Sequence, residues 1–84
     1  MAAIEVDVLM FGPLADLAAT SKLRVAVPEG TKVAGLIERV GEQFPGLRAR
    51  LPTVAVAVNL AYVSRQAPLS SGDEVALIPP VSGG

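Results

Sequence analysis

The chain has no cysteine and no histidine. Those absences remove the commonest nucleophile–base pairs, thiolate redox chemistry and nearly all zinc sites, so no metal site is expected. Without cysteine there is no disulfide framework, which fits a reducing compartment and sets the expectation of a cytoplasmic protein. Lysine is scarce, present at Lys22 and Lys32. Eight acidic and seven basic residues give a net charge of -1, and no basic run breaks that balance. A surface that tracks nucleic-acid phosphates is therefore not expected. No apolar run approaches the roughly 18–20 residues of a membrane helix. The start, Met1-Ala2-Ala3-Ile4-Glu5, has no basic segment and acquires acids at Glu5 and Asp7, so it does not read as a secretory signal.

What is present is apolar. Hydrophobic residues make up 51% of the 84 residues, and the mean hydropathy is +0.53. One domain of this size buries a smaller share of its surface than a larger one does and should carry more polar residues. The excess points to a protein partner; an alanine- and valine-rich sequence bias is the plainer alternative.

The order of elements follows from periodicity. Ile4 to Phe11 alternates, with Ile4, Val6, Val8 and Met10 on one face and Glu5, Asp7, Leu9 and Phe11 on the other, which predicts a strand. After Gly12-Pro13, the stretch Pro13 to Ala19 is compatible with one or two helical turns. Lys22 to Val27 alternates again, and Pro28-Glu29-Gly30 closes it as a turn. Thr31 stands where an N-cap is expected. Val33, Leu36, Ile37, Val40 and Phe44 then form the apolar stripe of an amphipathic helix of about 13 residues. Gly35 and Gly41 each weaken that helix by roughly 1 kcal/mol relative to alanine, so packing must hold it. Pro45-Gly46 stops it, and Leu47 to Leu51 has no clear pattern. Val54, Val56 and Val58 mark a third strand, Asn59-Leu60-Ala61 a turn, Tyr62-Val63 a short return strand, and Glu74 to Ile78 the last strand. Gly72 is the natural site for a positive φ. One helix and several strands predict a two-layer α+β fold.

The strand faces carry a second message. If the helix covers Val54, Val56 and Val58, then Val75 and Leu77 point inward and Ala76 and Ile78 outward. The outer face then holds Leu9, Phe11, Ala55, Ala57, Ala76, Ile78 and Tyr62. An uncovered face of an antiparallel sheet is normally polar, so this one is expected to dock a protein unless Pro13–Ala19 or Leu47–Leu51 folds over it. Asp73 and Glu74 are adjacent and so point to opposite faces, which favours a turn role for Asp73 over paired acid–base work. Asn59 likewise suits a turn. Ser82 has no histidine to activate it.

Pro79-Pro80 stops any ladder, because neither residue has an N–H, and Val81-Ser82-Gly83-Gly84 follows. Two terminal glycines arise by chance in roughly 0.5% of chains at a usage of about 7%. A glycine tail is thin enough to thread a narrow channel and present its carboxylate there; a frayed end is the alternative.

The stretch from Gly72 to Gly84, Gly-Asp-Glu-Val-Ala-Leu-Ile-Pro-Pro-Val-Ser-Gly-Gly, resembles the ending of molybdopterin synthase small subunits, sulfur carriers of the ubiquitin-like β-grasp superfamily. Val58-Asn59, Tyr62-Val63, Pro68-Leu69 and, more loosely, Val8-Leu9-Met10-Phe11 with Leu14 also resemble that family. The family's Leu-Arg-Glu after the first strand reads Leu14-Ala15-Asp16 here, and its often aromatic pair before Pro-Pro reads Leu77-Ile78. The resemblance implies a β-grasp domain over residues 1–78, with a mixed sheet and one main helix across one face, and a flexible tail over 79–84. It implies that an adenylating activating enzyme uses ATP on the carboxylate of Gly84, that a thiocarboxylate follows, and that this sulfur goes to cyclic pyranopterin monophosphate to form the molybdopterin dithiolene. Pro79, Pro80, Val81, Ser82 and Gly83 would thread the large synthase subunit, within a heterotetramer. Leu9, Phe11, Tyr62, Ala76 and Ile78 would meet the partner. No permanent cofactor and no side-chain active site are implied. A carrier for thiamine thiazole synthesis, a ubiquitin-like protein modifier and a plain interaction module are the other readings.

Overall fold

The computed structural model describes residues 2–80. Strand β1 spans Ala3–Met10, helix α1 Pro13–Ala18, β2 Lys22–Pro28, helix α2 Val33–Gln43, β3 Ala55–Val58, β4 Ala61–Tyr62 and β5 Glu74–Ile78, with single 3-10 turns at Pro45–Leu47 and Leu51–Thr53. The strands form one sheet in the order β2-β1-β5-β3-β4. β1 and β5 run parallel at its centre, and β2, β3 and β4 pair antiparallel around them. A mixed five-stranded sheet with one main helix is the β-grasp arrangement that the resemblance implied.

Alternation decides which side is core. Ile4, Val6, Val8 and Met10 of β1, Val25 and Val27 of β2, Val56 of β3, and Val75 and Leu77 of β5 are all buried. They join Val33, Leu36, Ile37 and Val40 of α2 in a single cluster. Leu14, Ala18, Leu47 and Leu51 belong to that same cluster. The two segments that were candidates to fold over the outer face therefore pack on the helix side, and the outer face stays open. Phe44 is the C-cap of α2 rather than a further turn of it, and its side chain packs partly buried against the core.

Thr31 is not the N-cap. The cap residue is Lys32, and no side chain caps this end. The Thr31 hydroxyl instead donates to the Pro28 carbonyl at 2.6 Å. The first helical N–H groups are satisfied from a distant loop: Val33 N–H donates to the Ala67 carbonyl at 2.9 Å and Ala34 N–H to the Arg65 carbonyl at 2.8 Å. Two of the orphan donors of the helix start are thus paired without a capping side chain.

Gly41 explains itself by close approach. A Cβ there would sit 3.3 Å from both Arg48 Cγ and Leu51 Cδ1. The propensity lost at this position is the condition for seating Leu51, which is buried, beside α2. Gly72 has φ 86, the left-handed conformation that only glycine adopts without strain. Its N–H donates to the Glu5 carbonyl at 2.8 Å, which registers the loop before β5 against β1.

Arg65 closes the layer beneath α2. One terminal guanidinium nitrogen, Nη2, donates to the carbonyls of Leu51, Pro52 and Val54 at 2.9, 3.2 and 3.0 Å. Nothing in the local pattern around Arg65 announced this. Arg65→Met keeps the stem and removes the donors, stranding carbonyls of which two contacts are partly buried. Hydrogen bonds from a charged donor contribute about 1.5–3 kcal/mol together with the cost of leaving acceptors unpaired. Urea denaturation should show a loss of about 2 kcal/mol; a loss below about 0.5 kcal/mol would mean that the loop holds without the arginine.

Candidate functional site: the open sheet face and the base of the tail

The register lines up the outer face in rows. Lys22 lies opposite Leu9, Leu9 beside Ala76, Ala76 beside Ala57 and Ala57 opposite Tyr62, one row across all five strands. Two residues further toward the end of β5, Ile78 pairs with Ala55, and Phe11 follows the last residue of β1. Two residues in the other direction the row is charged: Arg24 lies opposite Asp7, and Asp7 beside Glu74. Arg24 Nε donates to Asp7 Oδ1 at 3.2 Å, an exposed pair of the kind that contributes under about 1 kcal/mol. The face thus runs from a charged end at the start of β5 to an apolar end at Ile78, where the chain turns out through Pro79.

Exposure agrees with that reading. Tyr62 is 75% exposed and Phe11 48%. Leu9, Ala76 and Ile78 are half-buried, and Ala55 is exposed. Ala57 differs from expectation in being 8% exposed. Its single methyl is flanked in register by Ala76 on one side and Tyr62 on the other, which makes the middle of the face flat. Two further exposed apolar side chains lie outside the strand alternation. Leu17 on α1 is 49% exposed and Leu60 in the β3–β4 turn 93%. Alternation and helical spacing are blind to both: Leu17 looks like core beside Leu14, and turn residues have no period.

The polar groups nearby are structural. Asp73 Oδ1 accepts from Asn59 Nδ2 at 3.0 Å, and Asp73 Oδ2 accepts from the Ser70 N–H at 2.8 Å. Asn59 Oδ1 accepts from the Glu74 N–H at 3.0 Å, while the Asn59 N–H donates to the Glu74 carbonyl at 2.8 Å. Asp73 and Asn59 therefore hold turns, as their sequence contexts suggested. Asn59 also has φ 50, a left-handed conformation that asparagine tolerates better than most residues. Asn59→Ala removes two side-chain hydrogen bonds and that tolerance, so thermal or urea unfolding should show a loss of about 1–2 kcal/mol. No loss would mean that water replaces the lost contacts.

Among the described residues, no group of acidic, histidine or cysteine side chains is arranged to hold a metal ion, and no helix is long and apolar enough to cross a membrane. Of the residues expected to thread a partner, Pro79 and Pro80 lie at the mouth of the apolar end. Val81, Ser82, Gly83 and Gly84, whose carboxylate is the expected reactive group, lie outside the described residues.

Comparison with known proteins places this arrangement. The ThiS family model matches residues 8–84. The molybdopterin synthase sulfur carrier subunit of Mycobacterium tuberculosis is 38% identical over 82 residues, spanning 96% of this chain and 99% of that protein. The crystal structure of SAMP1 from Haloferax volcanii superposes with a TM-score of 0.87 at 27% identity, over 95% of this chain and 99% of that one. The small chain in the Helicobacter pylori complex of subunits 1 and 2 of molybdopterin-converting factor superposes with a TM-score of 0.69 at 27% identity, over 96% of this chain and all (100%) of that one. With the family model covering nearly all of the described fold and the ending beyond it, the chain belongs to the ThiS family, among the molybdopterin synthase sulfur carrier subunits.

Proposed function

We propose that this protein is a sulfur carrier that serves as the small subunit of molybdopterin synthase, with the carboxylate of Gly84 as its cargo site. The observation that carries the reading is the position of Ile78. It belongs to the open apolar face, through its pairing with Ala55, and it stands immediately before the Pro79-Pro80-Val81-Ser82-Gly83-Gly84 ending. A partner that covers the face therefore receives the tail. Family membership supports the same reading, and the Helicobacter pylori relative is a small chain held against a second subunit.

The chemistry needs little from this chain. A carboxylate is a poor electrophile until one oxygen becomes a leaving group. An activating enzyme supplies one when the Gly84 carboxylate attacks the α-phosphorus of ATP, expelling pyrophosphate and forming the acyl-adenylate. A donor of sulfide-level sulfur then displaces AMP at the carbonyl carbon, and the resulting thiocarboxylate carries its charge largely on sulfur. In the large synthase subunit that sulfur attacks a side-chain carbon of cyclic pyranopterin monophosphate and displaces an oxygen substituent. Water then cleaves the acyl–sulfur bond, leaving the sulfur on the pterin and returning Gly84 as a carboxylate, and two such deliveries complete the dithiolene. The small subunit contributes the sulfur and the docking face; the catalytic side chains belong to the partner. ATP enters only as the source of a transient adenylate, and no resident cofactor is required.

The test is reconstitution. Thiocarboxylated protein, verified by the oxygen-to-sulfur mass shift on the intact chain, should yield molybdopterin when mixed with the large subunit and cyclic pyranopterin monophosphate. No product from verified thiocarboxylate would sink the reading. A protein-modifier role is the second reading, favoured by the likeness to SAMP1; lysine-linked conjugates of Gly84 in place of thiocarboxylate would favour it. A thiamine-type carrier would feed thiazole synthesis instead, and such carriers generally lack the Pro79-Pro80-Val81 segment.

A further inference from the structure

We infer that Leu60 is a pre-positioned apolar anchor for the large synthase subunit, extending the docking face past the β3–β4 turn at the Glu74 end of the sheet; the inference rests on the sulfur-carrier reading above. Three observations converge on this residue. It is 93% exposed, the most exposed of the large hydrophobic residues described. It has φ 71, a left-handed conformation disfavoured for a residue with a γ-branched side chain and normally left to glycine at the second position of a two-residue hairpin turn. And it shares a hairpin with Tyr62, the next most exposed large hydrophobic residue, which ends the apolar row Leu9–Ala76–Ala57–Tyr62.

The strain is held in place by Asn59. That side chain bonds Asp73 and the Glu74 N–H, and the Asn59 N–H bonds the Glu74 carbonyl. The turn is thereby tied to the start of β5, and Leu60 stands out from a fixed base. An exposed leucine in a strained conformation contributes nothing to this chain's core. A rigid base lowers the ordering cost of using it as a contact. The occupant that fits is an apolar recess on the same protein that covers Tyr62, because the two side chains are two residues apart on one short hairpin. Strained backbone that persists where the surroundings over-determine it is a marker of functional positions.

The experiment exploits the strain. Leu60→Gly removes the side chain and suits the turn, so its thermal midpoint should equal or exceed that of the parent chain. Its dissociation constant for the purified large subunit, measured by calorimetry, should rise about tenfold or more, the effect of losing one well-buried leucine. Leu60→Asn, which also tolerates the turn, should behave the same way. Ile78→Lys is measured beside them. Unchanged affinity in both Leu60 variants with weakened binding in Ile78→Lys overturns the anchor and leaves the docking face standing. Unchanged affinity in all three overturns the face as well. Weaker binding accompanied by a lowered thermal midpoint in both Leu60 variants also overturns the anchor, since Leu60 would then serve the fold.

Discussion

A chain lacking Gly84, or extended by one residue beyond it, should fold as the parent does and deliver no sulfur to the pterin. The expectation follows from reach. One residue of extended chain spans at most about 3.3–3.6 Å, whereas reacting atoms must come within about 3–3.5 Å of each other, and a misplacement of about 1 Å already costs on the order of a hundredfold in rate. A tail threaded into a channel and anchored at Pro79-Pro80 has no slack to make up a missing residue, and an added one fills the space that the nucleotide or pterin needs. The fold is insulated from the change. The buried core runs from Ile4 to Leu77, and the last ladder pair of β5 is Ile78 with Ala55, six positions before Gly84. The checks are the thermal midpoint, which should not move, and molybdopterin formation, which should vanish. Gly84→Ala keeps the length and adds only a methyl, so it separates reach from width: a severe loss there would show that the channel is also narrow. Retained sulfur transfer in the deletion would refute the tail mechanism.

The parts of the fold written in periodicity were legible. Alternation placed Val8, Val75 and Leu77 inside and Leu9, Ala76 and Ile78 outside because a strand's side chains cannot do otherwise once one face is covered. The α2 stripe from Val33 to Val40 was legible for the same reason at the helical period. What was not legible depends on contacts between segments far apart in the chain. Thr31 carries the local signature of an N-cap, yet the helix start is satisfied by carbonyls of Arg65 and Ala67, more than thirty residues on. Leu47–Leu51 has no period because it links two single 3-10 turns, Pro45–Leu47 and Leu51–Thr53, and Gly41 is a packing choice visible only once Leu51 lies against it. Within the candidate site, the apolar face was readable from β1, β3 and β5. Leu60 was not, since a hairpin turn reveals itself through asparagine and glycine and gives no reason to expect leucine. The tail is the opposite case: Pro79-Pro80 and the terminal Gly83-Gly84 announce it in the sequence without any period.

Ile78→Lys should weaken binding to the large subunit by a hundredfold or more while leaving the isolated protein close to its original stability. Ile78 lies on the outer face and is half-buried, with its backbone paired to Ala55. In the free chain a lysine there extends its stem over Ala55 and Ala76 and keeps its ammonium in water, so unfolding should register a change below about 1 kcal/mol. In the complex the same ammonium is enclosed by an apolar contact with no acid on this face nearby. The nearest acids of the face, Asp7 and Glu74, lie four residues back along β5, and the row between them and Ile78 carries only the cation Lys22, at its far end. An unpaired buried charge costs about 3–5 kcal/mol, which is more than two orders of magnitude in affinity. Ile78→Ala provides the scale for lost area alone and should cost about tenfold. Arg24→Ala, at the charged margin, should leave affinity nearly unchanged at moderate salt, because rim charges contribute mainly to association rate. Titration calorimetry on the three variants reads the pattern directly. Equal affinities for Ile78→Lys and the parent would place Ile78 outside the interface, and a large effect at Arg24 with none at Ile78 would move the docking site to the charged end of the sheet.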